Sequence, residues 1–260
     1  MLKIRGQDPE KDPLIKEVGF NNYFTGKNWQ ELNRQFFDGL APKYDRLNTV
    51  VSLGRHLAIK NHAVKYLRLR ENATVLDLCT GSGDIALAFR KHHPTCKVIG
   101  VDVSEKMLAL GIERTKNDPQ ISLQRADVLD LPFPDNHFDC VFIGFGLRNL
   151  SNINRGLEEM VRLTKPGGLV VNLDMGKPKK WLDKVLYKGY FEKLIPFLGR
   201  HVFHRGEFNS FAYLPASNRY FPSPQELQKK MESLGLVDIH HTDYLFGGIA
   251  RQVGRKPNRI

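Results

Sequence analysis

The chain has 260 residues, of which 41% are hydrophobic, and it carries a formal net charge of +11. This length suits one α/β domain with a well-buried core and is short for two domains. No apolar run approaches the roughly 20 residues of a membrane-spanning helix, and the N-terminus lacks the apolar core of a secretory signal. The three cysteines are scattered, so the sequence predicts reduced thiols, no metal site and a cytoplasmic protein.

The chain then divides into an arm, a helical segment and an alternating segment. Residues 1–28 are polar and predict a partly ordered arm, and residues 29–260 predict a single domain that begins with a helical cap over residues 29–70. Short apolar segments then alternate with helical ones, which predicts a parallel sheet with right-handed crossovers. The predicted strands span residues 74–78, 97–101, 121–125, 138–143 and 169–173, and the predicted helices span 84–92, 105–114 and 154–163.

The C-terminal part shows a different pattern. A capping box at Ser223-Pro-Gln-Glu226 predicts a helix that ends near Gly235. Residues 237–244 and 248–254 read as a hairpin that adds an antiparallel strand, and residues 180–222 predict an inserted lid of helices. The predicted fold class is therefore α/β, with a doubly wound, mostly parallel, seven-stranded Rossmann-like sheet.

The first predicted strand runs into the glycine-rich turn Cys79-Thr-Gly-Ser-Gly-Asp84 and then into a helix, an arrangement that places backbone N–H groups beside a nucleotide cofactor. The turn alone also fits the G-x-G-x-x-A form of the dinucleotide fingerprint. Asp84 would set a negative charge where a pyrophosphate belongs, whereas a cationic sulfonium tolerates it. Asp102 can hold ribose hydroxyls, Asp127 can reach an adenine amino group, and Lys165-Pro-Gly-Gly168 precedes the fifth strand. The combination favours S-adenosylmethionine (SAM) over NAD.

Several stretches resemble one family within the class I SAM-dependent methyltransferases, the ubiquinone/menaquinone biosynthesis C-methyltransferases. The most specific is Gly144-Phe-Gly-Leu-Arg148-Asn149, because it contains the family's FGLRN. The other similar stretches lie within residues 37–56, 107–111, 131–139, 162–168, 213–222 and 247–256. Together they cover roughly residues 36–256.

The sequence departs from the family pattern at several positions. The family's AGGTGD reads Cys79-Thr-Gly-Ser-Gly-Asp84, and its EFSKP reads Asp174-Met-Gly-Lys-Pro178. The usual residue before FGLRN is replaced by Gly144, and the family's YDxYSF and NLTxG segments are replaced altogether. Most of these changes lie where a substrate lid is expected, so they bear on the substrate more than on the cofactor.

The resemblance implies a SAM-dependent C-methyltransferase that acts on a prenylated quinol in menaquinone or ubiquinone biosynthesis. The cofactor-binding residues that it and the strand-end pattern imply are Asp77, Gly81, Ser82, Gly83, Asp102, Val103, Met107, Asp127, Val128 and Gly144. Its weaker matches imply substrate contacts from Tyr213 and Arg219. For Tyr213 a buried aromatic contact is an equal alternative.

The resemblance also places Arg148 and Asn149 next to the substrate. Arginine is a poor base because its pKa exceeds about 12, so we expect Arg148 to stabilise a phenolate while a water or Tyr44 relays the proton. A structural salt bridge from Arg148 to Asp45 or Asp174 is the alternative. Asn149 either orients the ring hydroxyl or caps the next turn.

Other functions and partners stay open. The same scaffold fits N- or O-methylation of another small molecule or lipid, and the altered lid favours this alternative. The net charge suggests nucleic acid, but the sequence has no RNA-binding module and no NPPY-like tetrad, so we expect no nucleic-acid partner. Residues 181–203 place an apolar helical face between lysines, which fits peripheral contact with the inner membrane surface or packing within the protein. A homodimer is left open.

Overall fold

The computed structural model describes residues 29–198 and 210–258, so the predicted arm over residues 1–28 lies outside the described residues. Three helices form the N-terminal cap: α1 (Trp29–Leu40), α2 (Tyr44–Val51) and α3 (His56–Lys65). A 3-10 turn at Ala41–Lys43 separates the first two. The break falls at Pro42, which lacks the N–H needed to continue a helix.

Seven strands then form one sheet in the order β3-β2-β1-β4-β5-β7-β6. They are β1 (Thr74–Leu78), β2 (Lys97–Asp102), β3 (Ile121–Arg125), β4 (Phe138–Gly144), β5 (Thr164–Met175), β6 (Val237–Tyr244) and β7 (Ile249–Arg255). The first five are mutually parallel, and β7 runs antiparallel to both β5 and β6, which confirms the predicted fold class. β5 begins at Thr164 rather than at residue 169, because Thr164 already pairs with Phe138 before a register shift.

Helices cover both faces of this sheet. Three follow strands: α4 (Asp84–His92), α5 (Glu105–Thr115) and α6 (Ile153–Leu163). Side-chain caps fix two of their starts, since Ser104 accepts from the Met107 N–H and Asn152 accepts from the Arg155 N–H. Neighbouring strand residues point to opposite faces, so Val75 joins one buried apolar cluster and Leu76 joins the other.

The lid follows β5 and contains α7 (Trp181–Tyr187), a π-helical stretch (Lys188–Leu194), α8 (Ile195–Leu198) and α9 (Ser210–Tyr220). Ile195 and Tyr213 of the lid form one apolar cluster with Phe36 and Leu47 of the cap. The lid and the cap therefore pack against each other. Within the described ranges, none of the helices has the length and apolar character that a membrane crossing requires.

The last helix, α10 (Pro224–Ser233), begins at the predicted capping box. The Ser223 hydroxyl accepts from the Glu226 N–H at 3.3 Å, and the Glu226 carboxylate accepts from the Ser223 N–H at 2.7 Å. Gly235 takes a φ of +82° just beyond the helix, as its predicted role requires. The division into an arm, a cap and a lid insertion stays a prediction.

Candidate active site

The turn after β1 forms a tight backbone cradle. Cys79, Gly81 and Gly83 all have positive φ angles, of 54°, 53° and 79°. A Cβ on Gly81 would lie 3.1 Å from the Met107 methyl, so this position has to stay small. The Gly81 N–H donates to the Asp102 carboxylate at 2.9 Å, which ties the turn to the end of β2.

A cavity of about 740 Å³ opens at this cradle, where β1, β2 and β4 end. We call it the strand-end cavity. Seven of the ten predicted cofactor residues line it: Gly81, Asp102, Val103, Met107, Asp127, Val128 and Gly144. The structure therefore brings most of the predicted cofactor set together.

The chemistry of this wall fits an adenosine-containing cofactor. The Asp102 oxygens accept N–H groups from Gly81 and Ser104, each at 2.9 Å, and a carboxylate has further lone pairs for hydroxyl groups. Burial raises the pKa of Asp102, although these N–H donors oppose the shift. Met107 and Val128 offer an apolar surface for a flat base, and Asp127 adds a second acceptor.

Three predicted cofactor residues lie outside that wall. Asp77 is fully buried beneath the turn, where it accepts from the Thr80 hydroxyl at 2.6 Å, and burial raises its pKa to about 7. The Ser82 hydroxyl is buried and has no hydrogen-bond partner within the described part of the chain. Gly83 caps α4 in the left-handed conformation. These residues shape the turn, and their direct contact with a cofactor stays a prediction.

Asp84 does not present a free charge to the cofactor. Its carboxylate accepts from Lys60 at 2.7 Å and from Arg114 at 3.1 Å. Burial alone would lower the pKa of Lys60, but Tyr44 and Asp84 outweigh it and raise that pKa. The prediction that Asp84 repels a pyrophosphate is therefore wrong, because the two cations neutralise the carboxylate.

A second cavity, also of about 740 Å³, lies between the cap helices, the lid and the end of β5. We call it the cap cavity. Its wall is mostly aromatic and aliphatic, and Tyr213 is the predicted substrate residue that lines it. Phe37, Tyr44 and Phe145 line both cavities. Molecules bound in the two cavities would therefore contact the same three side chains.

Arg148 lines the cap cavity, but its guanidinium is already engaged. It forms a buried ion pair with Asp174, and its Nη1 donates to the Phe145 carbonyl at 2.9 Å. The alternative of a salt bridge to Asp174 is therefore the one that forms, while Asp45 pairs with Arg114. The Arg148 Nε is buried without a hydrogen-bond partner among the residues described.

Asn149 connects three elements and lines the strand-end cavity. Its side chain donates to the Phe145 carbonyl at 3.0 Å and accepts from the Tyr213 hydroxyl at 2.6 Å, and its own carbonyl accepts from Asn33 at 2.6 Å. Tyr213 also makes the buried aromatic contact, with its ring 4.6 Å from that of Phe36.

Arg219 is exposed and lines neither cavity. Its role as a substrate residue therefore stays a prediction. Sequence reasoning gave no role to Asn48, His56 and Lys60, which all line the cap cavity. The sequence did contain an indication that Lys60 is buried, because its spacing places it on the same face of α3 as the buried Val64.

Comparison with known proteins agrees with this geometry. The model of the ubiE/COQ5 methyltransferase family matches residues 26–256. The ubiquinone/menaquinone biosynthesis C-methyltransferase UbiE of Geobacter sulfurreducens is 39% identical over 86% of this chain and 88% of that protein. The demethylmenaquinone methyltransferase of Lactiplantibacillus plantarum is 37% identical over 85% and 94%.

Solved structures show the same architecture. A SAM-dependent methyltransferase from Thermotoga maritima superposes with a TM-score of 0.61 at 19% identity, covering 85% of this chain and 99% of that one. This likeness concerns the fold alone, whereas the family match spans nearly all of the described residues. The chain therefore belongs to the ubiE/COQ5 methyltransferase family and is an enzyme whose methyl donor is SAM.

Proposed function

We propose that the enzyme methylates a ring carbon of a prenylated quinol, with demethylmenaquinol preferred over the ubiquinone precursor. The observation that carries the proposal is the wall shared by the two cavities, formed by Phe37, Tyr44 and Phe145. It sets an aromatic, mostly apolar chamber directly beside the strand-end cavity. The names of the relatives in Geobacter and Lactiplantibacillus support a quinol-type acceptor.

Bound SAM supplies a methyl group on a sulfonium, which makes it electrophilic, and the side chains around it then have to orient both reactants and exclude water. We propose that Asp102 binds the ribose hydroxyls and that Asp127 binds the adenine amino group. The backbone at Gly81 and Gly144 leaves room for the rest of the cofactor, and Met107 contacts the base. The Asp102 carboxylate on the cavity wall and the cradle at Gly81 support this arrangement.

Within the cap cavity, Arg148 is proposed to contact the acceptor through Nε. Arg148 lines this cavity, and its Nε is buried and unused within the described ranges, whereas Nη1 is taken by Asp174 and Phe145. A donor at this position would bind a ring oxygen and favour its ionised form. Tyr44, on the shared wall, is proposed to position the ring against the methyl group.

We further propose that the lid rests on an anionic membrane surface. Within the described part of the lid, six apolar side chains are 43–77% exposed: Trp181, Leu182, Val185, Leu186, Leu194 and Phe197. Lys180, Lys184 and Lys188 are exposed beside them, so the face combines apolar and basic character. Phe191 of the same helical run lines the cap cavity, which supports a path for a prenyl tail from the membrane to the ring.

A methylation assay with a short-tailed demethylmenaquinol, kept reduced, tests the acceptor. We expect one methyl group on a ring carbon, located by mass spectrometry of the product. The matched control is the corresponding menaquinol, in which that carbon already carries a methyl group. Tight SAM binding without ring methylation, or a product methylated on a hydroxyl oxygen, would reject the quinol C-methylation proposal.

A further inference from the structure

Among the described residues, two cations line the cap cavity, and neither can accept a proton. Arg148 is paired with Asp174, and Lys60 is paired with Asp84 at 2.7 Å. Both are fully protonated donors, so they can stabilise a negative charge but cannot create one by proton removal. His56 lies one helical turn before Lys60 on α3 and lines the same cavity. It is the neutral nitrogen base on the described part of this wall.

The hydrogen bonds around His56 identify which ring nitrogen carries the proton. The Thr49 hydroxyl donates its one hydrogen to the Asp45 carbonyl at 2.8 Å. Its oxygen is then left to accept in the 3.5 Å contact with His56 Nε2, and from this contact we place the hydrogen on Nε2. The lone pair is then on Nδ1, which is buried and has no partner among the residues described.

The surroundings also keep this imidazole neutral. His56 is the first residue of α3, where the partial positive charge of the helix N-terminus disfavours an imidazolium. Burial and then Lys60 lower the pKa of His56 below its usual value, and Arg114 acts in the same direction. Asp84 and Asp45 oppose the shift without reversing it.

We infer that His56 Nδ1 is the general base of the methyl transfer, an assignment that rests on the proposed function. Nδ1 takes the proton of the quinol hydroxyl next to the reacting carbon, and the oxygen's electron pair moves into the ring. That carbon then bonds to the methyl carbon as the bond from methyl to sulfur breaks, with its electrons remaining on sulfur. The carbon finally loses its own hydrogen as a proton to solvent, which restores the aromatic ring.

Two neighbours position this base. The Ser52 hydroxyl accepts from the His56 backbone N–H at 2.9 Å and donates to the Asn48 carbonyl at 2.6 Å. Thr49 holds the tautomer through its contact with Nε2. Because His56 is only half-buried, the proton that it gains can pass to solvent before the next turnover.

The first test compares His56→Gln with His62→Gln, a control on an exposed histidine of the same helix. We expect His56→Gln to lower turnover of the reduced quinol about 100-fold or more, while S-adenosylhomocysteine still binds as in the parent. The residual rate of this variant should keep rising with pH towards about 10, where a phenolic hydroxyl ionises unaided. The turnover rates of the parent and of His62→Gln should stop rising once the pH exceeds the pKa of His56, which is lowered from its usual value.

The second test needs neither SAM nor turnover. 4-Nitrophenol, buffered below its own pKa, is bound to the parent enzyme and to both variants, and the phenolate absorbance is recorded. We expect ionisation on binding to the parent and to His62→Gln, and binding without ionisation to His56→Gln.

The two tests separate the base from the substrate. If the parent methylates the quinol while His56→Gln keeps more than about half of the turnover and still ionises the phenol, His56 is not the base. If the parent ionises the phenol and His56→Gln does not, but the parent fails to methylate the quinol, His56 is still the base and the quinol assignment is rejected.

Discussion

The Arg148 guanidinium and the Asp174 carboxylate form an ion pair in which the two side chains are only 6% and 0% exposed. Asp174 also accepts the backbone N–H groups of Arg148, at 3.2 Å, and of Met175, at 2.8 Å. The pair thereby joins the turn after β4 to the end of β5. Its first role is structural, because two charges removed from water have to neutralise each other.

Removal of one partner should therefore destabilise the fold. Arg148→Ala leaves Asp174 buried and unpaired, so we expect the free energy of unfolding to fall by about 3–5 kcal/mol. The double variant Arg148→Met with Asp174→Asn removes both charges. Its free energy of unfolding should fall by less than half of the decrease in Arg148→Ala. Urea denaturation of the three proteins measures the difference. A loss below about 1 kcal/mol in the single variant would show that the pair contributes little to stability.

The Lys60–Asp84 pair should respond asymmetrically to substitution. Asp84→Asn leaves Lys60 as a buried cation without its carboxylate, and we expect a loss of about 3–5 kcal/mol. Lys60→Met leaves Asp84 with Arg114 at 3.1 Å, so the loss should be clearly smaller. Urea denaturation at neutral pH ranks the two variants, and the opposite ranking would contradict this account of the pair.

Asp77 should make the apo enzyme less stable as the pH rises. Burial raises the pKa of Asp77 in the folded protein to about 7 from its ordinary 3.8. The stability gained from its protonated form is complete below pH 3.8 and is lost as the pH rises to about 7. This loss amounts to as much as about 4 kcal/mol. Asp77→Asn should reduce this pH-dependent loss. The free energy of unfolding of the variant, measured by denaturation, should therefore rise relative to that of the parent between pH 4 and pH 8. If the difference in free energy of unfolding between the variant and the parent stays constant from pH 4 to pH 8, the pKa of Asp77 is not shifted.

The cofactor assignment predicts a specific loss of affinity at Asp102. A hydrogen bond to a charged group contributes about 1.5–3 kcal/mol, so Asp102→Ala should weaken S-adenosylhomocysteine binding about 10- to 100-fold in calorimetry. Asp130→Ala is the control, because Asp130 is exposed in the nearby loop and lines neither cavity. Equal affinities for the two variants would remove Asp102 from the cofactor site.

The exposed lid face predicts binding to anionic vesicles. The triple variant Trp181→Ser, Leu182→Ser and Phe197→Ser removes apolar area without a change in charge, so flotation with anionic vesicles should decrease strongly. Val237→Ser is the control, since Val237 is 44% exposed on β6, away from the lid. Flotation of the parent should also weaken with salt, because the lysines contribute electrostatically. No flotation of the parent at low salt would reject membrane contact.

The features that the sequence predicted well depend on short-range rules. The capping box at Ser223–Glu226 and the left-handed Gly235 need only neighbouring residues, and the structure has both. The alternation of strands and helices likewise reports which faces are buried. The start of β5 was misplaced because its pairing of Thr164 with Phe138 spans a bulge that breaks the apolar pattern.

The remaining features depend on partners that are distant in the chain. Asp84 is neutralised by Lys60, which lies 24 residues earlier, so its local position next to the glycine turn was misleading. The base assigned to His56 depends on Thr49 and on a cavity wall built from several elements. The helical spacing of apolar residues in the lid predicted an apolar face, but it carries no information about what packs on that face. Within the described residues the face is exposed.

The wall shared by the two cavities has a consequence for how the enzyme can change. Any substitution at Phe37, Tyr44 or Phe145 alters the walls of both cavities at the same time. If the proposed donor and acceptor occupy the two cavities, such a substitution acts on the binding of both, and any coupling between the two binding events has to be reciprocal. The exposed lid residues Trp181 and Leu182 line neither cavity, so their substitution leaves this partition unchanged, whereas changes at Phe37, Tyr44 or Phe145 affect both cavities together.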